Sequence, residues 1–364
     1  MDSNENRIRK IVLERLGVCR VCHRMHEGED VHVVSQNPDV WLMVVECPDC
    51  HTPIDPATGA AALGGCHQCR SGFLRPDGVL DFVTSGSVAD ERGFYDRVYQ
   101  ESQGQQNKRP PAAFQGLWRG AWAKQDHLVR DAIGDIAGKT VLIIGNGASE
   151  KELALLDSKP AIFVYSDLSP IAAYTIQQRV RPHEETEAFF CAIDAHRMPL
   201  QQASVDLVYG YAMVHHLPRL EEFLQGVMRV LKPGGKAVFM DDAYAPVWHF
   251  SKMTFARPLM WFSHKRTGIS PEDLRFSLSG GFREELLGPM IRAVGGTPYF
   301  HRVSFFNYLW YRAVIKLMPQ SLQPILTTAA FDKGTADLDR MLLKSGWGAR
   351  NQIRIVWGLI KPAA

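Results

Sequence analysis

Short apolar runs set the rhythm of the chain between residues 139 and 242. Val141–Ile144, Ile162–Tyr165 and Phe189–Ile193 are apolar or aromatic throughout. That is the form of strands buried on both faces of a parallel sheet. VDLVYGYAMVHHL, Val205 to Leu217, reads as a fourth strand running into a turn. After it, Leu220, Phe223, Leu224, Val227 and Val230 recur at helical spacing, and Lys232-Pro233-Gly234-Gly235 predicts the helix stop before a fifth strand, Lys236–Met240. Strands alternating with helices imply right-handed crossovers and a doubly wound α/β sheet, with its site at the C-terminal strand ends. Thr297–Ser304 and Gln352–Ile360 read as late strands, and Ser270-Pro271-Glu272-Asp273-Leu274 as a helix start.

The first run leads directly into Gly145-Asn146-Gly147, and a helical pattern with Leu153, Leu155 and Leu156 follows. Glycines at that point let the chain turn tightly and let a ligand approach the backbone, ahead of the free N–H groups of the next helix. The second run ends in Ser166-Asp167, where a carboxylate can accept both hydroxyls of a ribose. The third ends in Asp194-Ala195, where an acid can accept from an adenine amino group. A tight structural turn is the alternative for the glycines taken alone. Strand, turn and acids in register favour a nucleoside cofactor.

With 364 residues, about two domains are expected. Thr84-Ser85-Gly86-Ser87 reads as a linker, which divides residues 1–85 from a connecting segment, 86–135, and a main domain, 136–364. In the connecting segment Phe94, Tyr95, Val98 and Tyr99 fall at helical spacing, and the two tyrosines either close over a cofactor or pack on the sheet. No apolar run approaches the ~20 residues of a membrane span and the N-terminus lacks a signal-like apolar segment, so a cytoplasmic protein is expected.

Charge is uneven. Residues 1–85 hold 8 Lys/Arg against 12 Asp/Glu, residues 86–242 hold 17 against 20, and residues 243–364 hold 16 against 7. An acidic front argues against nucleic acid as the partner, whereas the last third would attract an anionic one, a membrane surface or an anionic carrier, if it is more than a solvated basic face. The insertions at about 243–349 are rich in Phe, Trp, Tyr and Leu, with Arg302, Arg312 and Lys316 among them. They read as a cap over a largely apolar acceptor carrying an anionic group, or as a dimer contact.

Six of the seven cysteines form three C-x2-C pairs: Cys19/Cys22, Cys47/Cys50 and Cys66/Cys69. Paired spacing of this kind reads as structural zinc, two knuckles completing a tetrahedral site. Cys47, Cys50, Cys66 and Cys69 are the expected ligands of one ion. Cys19 and Cys22 belong to a second, incomplete or alternative site, or pair with Cys47/Cys50 around a hairpin at Val31–Val45. A redox dithiol is the other reading. The stretch CPDCHTPIDPATGAAALGGCHQCRSGFLRPDGVLDFV resembles the small zinc-binding activator of tRNA and release-factor methyltransferases, through its two knuckles and the trailing Asp77–Phe82.

Across residues 137–242, the segments VLIIGNG, VYSDLSP, AIDAHRMPLQQASVDLVY and RVLKPGG resemble, in order and spacing, the class I S-adenosylmethionine-dependent methyltransferases. The resemblance implies a Rossmann-like, mostly parallel sheet closed by a late antiparallel strand, about 352–360. It also implies methyl transfer to a lipid, polyketide or other small secondary metabolite. Gly145, Asn146 and Gly147 would border the methionine part of the cofactor, Asp167 with Leu168 the ribose, and Asp194 with Ala195 the adenine. Tyr211 would lie near the sulfonium, under Tyr99. His215, His216 and His249 are candidate bases, should the acceptor need one. Two departures stand out: Ile143 where the family carries an acid, and Ser149 where a third small glycine is common. Glu150 is a candidate substitute for the acid, but it breaks the Gly-x-Gly-x-x-Gly of a dehydrogenase. An RNA or protein methyltransferase and a non-catalytic protein that kept the fold are the alternatives.

Overall fold

The computed structural model describes residues 75, 77, 79–83, 88–105, 127–147, 151–180, 185–251, 281–304, 329–352 and 354–363. Its strands are β1 (Leu80–Asp81), β2 (Thr140–Ile144), β3 (Ile162–Asp167), β4 (Glu187–Ala192), β5 (Val205–Tyr211), β6 (Leu231–Asp242), β7 (Thr297–Ser304) and β8 (Arg354–Ile360). They form one eight-stranded sheet in the order β1-β4-β3-β2-β5-β6-β8-β7. The pairs from β1 to β6 are parallel, while β8 runs antiparallel to both β6 and β7. The chain winds outward from β2 through β3 and β4, then returns to β2's other side with β5. That reversal is the switch point at which doubly wound sheets bind ligands.

β2 shows why the sheet needs both layers. Val141 and Ile143 pack with Val129, Ile133 and Tyr165 on one face, while Leu142 and Ile144 pack with Phe189, Val208 and Phe223 on the other. On the second face, Phe223 comes from α3 (Leu220–Val230), whose buried positions Phe223, Leu224, Val227 and Val230 are those its spacing implied. Phe239 packs against Trp357 at the antiparallel end, with ring centroids 4.8 Å apart and planes tilted by 43°. Each such side chain, fully buried, contributes roughly 1.5–3 kcal/mol.

Several local expectations need correction. Lys232–Gly235 is not a turn outside the sheet: α3 stops at Val230 and β6 begins at Leu231. Val205 pairs with Leu231 and Leu207 with Lys236, so a bulge in β6 absorbs the extra residues, with Gly234 at φ +76°. Leu80–Asp81, read as the tail of the front domain, instead pairs in parallel with Cys191 and Ala192 as an edge strand. The domain boundary at 85 therefore falls after a piece of the main sheet. The helix expected after Gly147 is a 3-10 helix, Lys151–Ser158. The described closing strand starts at Arg354, two residues later than expected.

The remaining helices are α1 (Ala89–Gln105), α2 (Pro170–Gln177), α4 (Pro246–Ser251), α5 (Glu284–Ala293), α6 (Ala329–Lys344) and α7 (Gly346–Arg350). Residues 127–133 are also helical. Among the described residues no helix is long and apolar enough to cross a membrane. The three cysteine pairs, Ser149, Glu150, the helix start at Ser270, Arg312 and Lys316 lie outside the described residues.

Candidate functional site

The site begins where β2 ends. Gly145 and Gly147 sit at φ +65° and +62°, in the left-handed region that glycine alone enters cheaply. The approach is close as well. A Cβ at Gly145 would lie 2.9 Å from Met213 Cβ, and one at Gly147 would lie 2.6 Å from the Tyr99 hydroxyl. Three hydrogen bonds pin the loop to its neighbours. Gly147 N–H donates to Asp167 Oδ2 at 2.8 Å, the Tyr165 hydroxyl to the Gly147 carbonyl at 2.8 Å, and Tyr211 N–H to Asn146 Oδ1 at 2.9 Å. Burial holds the Tyr165 hydroxyl protonated, as that donation requires.

Over this loop lies a cavity of about 240 Å³, at the C-terminal ends of β2 to β5. All nine side chains or backbone positions expected to hold a nucleoside cofactor line it: Gly145, Asn146, Gly147, Asp167, Leu168, Asp194, Ala195, Tyr211 and Tyr99. Sequence reasoning missed His196, which lines it too. Its signal was its place one residue after Asp194-Ala195.

The polar atoms of this cavity are arranged for a ligand. Asp194 Oδ1 accepts from both the backbone N–H and Nδ1 of His196, each at 2.9 Å. Burial pushes the Asp194 carboxyl up, but the hydrogen bonds and charge of His196, with Arg219 beyond, outweigh it, so it titrates below the ordinary carboxylate value. When the ring is neutral, an ionised Asp194 favours the proton on Nδ1, and Nε2 is then an acceptor. Asp194 Oδ2 and His196 Nε2 are both buried and, among the described residues, have no hydrogen-bond partner. Asn146 Nδ2 is in the same condition as a donor. Such atoms cost free energy unless a ligand satisfies them.

Asp167 is 5% exposed. Burial raises its pKa to about 6, Asp96 adds to the rise, and the N–H groups of Ser169, Gly147 and Leu168 oppose it. At neutral pH it remains mostly ionised, with one lone pair of each oxygen spent on Gly147 and Ser169.

α1 roofs the cavity. Arg92 donates to both oxygens of Asp81 on β1, at 3.0 and 2.5 Å, and Asp96 accepts from the Ser169 hydroxyl at the start of α2. These two clamps bring Tyr95 and Tyr99 into the cavity lining, their rings stacked at 6.3 Å. The Tyr95 hydroxyl is 3.0 Å from His216 Nδ1.

The three candidate bases separate. His216 lines the cavity. His215 does not. Its ring lies 4.1 Å behind that of His216, and its Nδ1 is 2.9 Å from Oδ1 of Asp241, a fully buried carboxylate that also accepts from Trp357 Nε1 at 3.3 Å. His249 is on α4, and its side chain is outside the described residues. At the turn below, Ala212 takes φ +51° while its N–H donates to the Met240 carbonyl at 2.7 Å, a strained position beside the ligand space.

Residues 142–239 match the family described as a methyltransferase domain. With the sheet order, that match gives the class I S-adenosylmethionine-dependent methyltransferase fold. Over 111 residues the chain is 35% identical to a probable phthiotriol/phenolphthiotriol dimycocerosates methyltransferase 2 of Mycobacterium ulcerans, 29% of this chain and 41% of that protein. It is 34% identical over 50 residues to the sterol 4-C-methyltransferase strm-1 of Caenorhabditis elegans, 14% of this chain and 15% of that one. The chain thus spans less than half the length of these relatives. Among solved structures, it resembles Haemonchus contortus phosphoethanolamine N-methyltransferase 2 with a TM-score of 0.45 and 15% identity, over 74% of this chain and 60% of that one.

Proposed function

We propose that this protein transfers a methyl group from S-adenosylmethionine to a small, largely apolar acceptor that carries an anionic group. The observation that carries the reading is the set of orphaned polar atoms in the cavity. Asp194 Oδ2 and His196 Nε2 are acceptors suited to an adenine amino group, the ionised Asp167 to a ribose diol, and Asn146 Nδ2 is a donor suited to a carboxylate. Gly145 and Gly147 hold the left-handed turn that carries the loop beneath the cavity, with Met213 and Tyr99 packed directly against them. The relatives' names, a lipid and a sterol methyltransferase, support an apolar acceptor.

When bound, the cofactor supplies an electrophilic methyl group for in-line displacement. The chain's part is alignment and the exclusion of water. Tyr95 and Tyr99 on the clamped α1 close the mouth. For a hydroxyl acceptor, His216 takes the proton. With its Nδ1–H donated to the Tyr95 oxygen, Nε2 is the bare nitrogen. His215 holds the His216 ring from behind and is itself held by Asp241.

For the segment before β1 the proposal is a zinc ribbon, with Cys47, Cys50, Cys66 and Cys69 on one structural ion and Cys19/Cys22 in a second, incomplete or alternative site. Elemental analysis of the purified protein, alone and as Cys19→Ser and Cys66→Ser, tests it. For the main reading, calorimetry with S-adenosylmethionine on the parent and on Asp194→Ala is followed by incubation of labelled cofactor with a lipid extract. Binding that Asp194→Ala weakens, with label in an organic-soluble product, is expected. No binding at millimolar cofactor would favour a non-catalytic protein, and label that RNase treatment removes would favour RNA.

A further inference from the structure

A second, larger cavity of about 580 Å³ lies at the antiparallel end of the sheet, apart from the residues assigned above. α5, the β7 residue Arg302 and the α6–α7 junction form its walls. Four cations border it, against two carboxylates. Arg302 is spent on Glu284, donating at 3.0 and 3.3 Å. Arg283 is fixed by stacking 3.6 Å over the Tyr244 ring, with its charge unneutralised by that contact. Among the described residues Lys344 and Arg350 carry no salt bridge. Among the described residues, three of its cations therefore have no ion-pair partner, and Glu285 is the lining carboxylate not already paired with Arg302.

A second observation points to a ligand. Gln352 borders the cavity and is 5% exposed. Its Nε2 donates to Glu284 at 3.0 Å, while its Oε1 is buried and accepts nothing among the described residues. The fitting group is an anion that also carries a hydroxyl donor.

The surroundings say what bears that group. Leu286 on the wall is 60% exposed. Beside the wall residues Pro246 and Gly346, Val247 and Trp347 are 51% and 53% exposed, and Phe250 follows one turn along α4 at 68%. Asn351 joins these helices, accepting from Val247 N–H and donating to the Trp347 carbonyl. Partly exposed large apolar side chains around a cationic pocket match an interface that is apolar inside and anionic at its surface. A nucleic acid would satisfy the cations but not Leu286, Phe250 and Trp347.

We propose that this face docks on an anionic phospholipid bilayer, with the phosphate and a hydroxyl of one headgroup seated in the cavity. The phosphate meets Arg283, Lys344 and Arg350, the hydroxyl donates to Gln352 Oε1, and Phe250, Leu286 and Trp347 enter the acyl boundary. Docking does not depend on methyl transfer.

The test is sedimentation of the full-length protein with phosphatidylcholine vesicles, with and without phosphatidylglycerol. The parent should sediment with the anionic vesicles only. Each cation replaced (Arg283→Gln, Lys344→Gln, Arg350→Gln) should weaken partition by roughly fivefold, and the triple variant by about a hundredfold. Phe250→Ser with Trp347→Ser should remove the part of binding that survives high salt. In the three cation variants melting temperature and cofactor affinity should be unchanged, because Arg283, Lys344 and Arg350 are exposed and do not line the other cavity. Equal sedimentation with neutral vesicles, or an unaffected triple variant, would overturn the proposal. So would glycerol phosphate or RNA retained through the same cations by a protein that ignores vesicles.

Discussion

Asp241 offers the sharpest separation of charge from hydrogen bonding. It is completely buried and accepts from His215 Nδ1 at 2.9 Å and Trp357 Nε1 at 3.3 Å. Replacement by alanine orphans both donors at about 1–3 kcal/mol each, so a loss of roughly 3–5 kcal/mol is expected, a large part of a domain's stability. Asparagine behaves differently. Its Oδ1 still accepts from Trp357, and its Nδ2 can donate to His215 once that ring moves its proton to Nε2. It also removes a costly buried charge. Burial raises the Asp241 pKa and the bonds from His215 and Trp357 do not fully offset it. A carboxyl raised in the folded state contributes stability that is fully present below its unfolded pKa of ~3.9 and is lost as pH rises through the folded value. Asp241→Asn should therefore lie within about 1 kcal/mol of the parent near neutrality, and gain on it as pH rises from the acid range. Urea unfolding followed by far-UV circular dichroism at several pH values measures both variants. An asparagine variant as unstable as the alanine one would refute the argument, since the charge and not the acceptor would then hold the site.

Three further outcomes follow from the cofactor cavity. Because the Asp167 pKa is about 6, cofactor affinity should fall about tenfold per pH unit below that value. Folding stability should run the other way, losing on the order of 3 kcal/mol as pH rises through the window, and calorimetry and melts on parent and Asp167→Asn check both. Gly145→Ala, at φ +65° with its Cβ against Met213 Cβ, should cost about 1–2 kcal/mol in backbone strain and reduce cofactor affinity at least tenfold while the fold persists. Tyr95→Phe removes the hydroxyl 3.0 Å from His216 Nδ1. It should move the pH profile of kcat with little change in melting temperature, whereas an unmoved profile would deny His216 its role.

What the sequence disclosed and what it hid divide along sequence separation. The β2 run, its glycines and the acid closing β3 lie within one βαβ stretch, so their period and order carry the information. β1 is two residues long, and only its partner β4, over a hundred residues away, makes it a strand. The clamp from Arg92 to Asp81, the Tyr95–His216 contact and the His215–Asp241 pair likewise join positions whose spacing has no local meaning. The bulge in β6 was hidden for the opposite reason. Lys232–Gly235 reads correctly as a break in local geometry, yet pairing on both sides of it carries the strand through.

Ile143 is the departure at which both kinds of reading meet. Its side chain is fully buried on the face of β2 that packs Val129, Ile133 and Tyr165, and it does not line the cofactor cavity; Ile144 does. Its carbonyl already accepts from the Ser166 hydroxyl at 2.8 Å. A carboxylate at 143 in this arrangement would be desolvated among Val129, Ile133 and their neighbours, at a cost of several kcal/mol. The polar group that does reach the cavity is three residues later. Asn146 ties the loop to β5 through Oδ1 and keeps Nδ2 for a ligand. As a donor, Asn146 Nδ2 would suit the carboxylate end of a methionyl group better than its ammonium, and Ile143 serves the core.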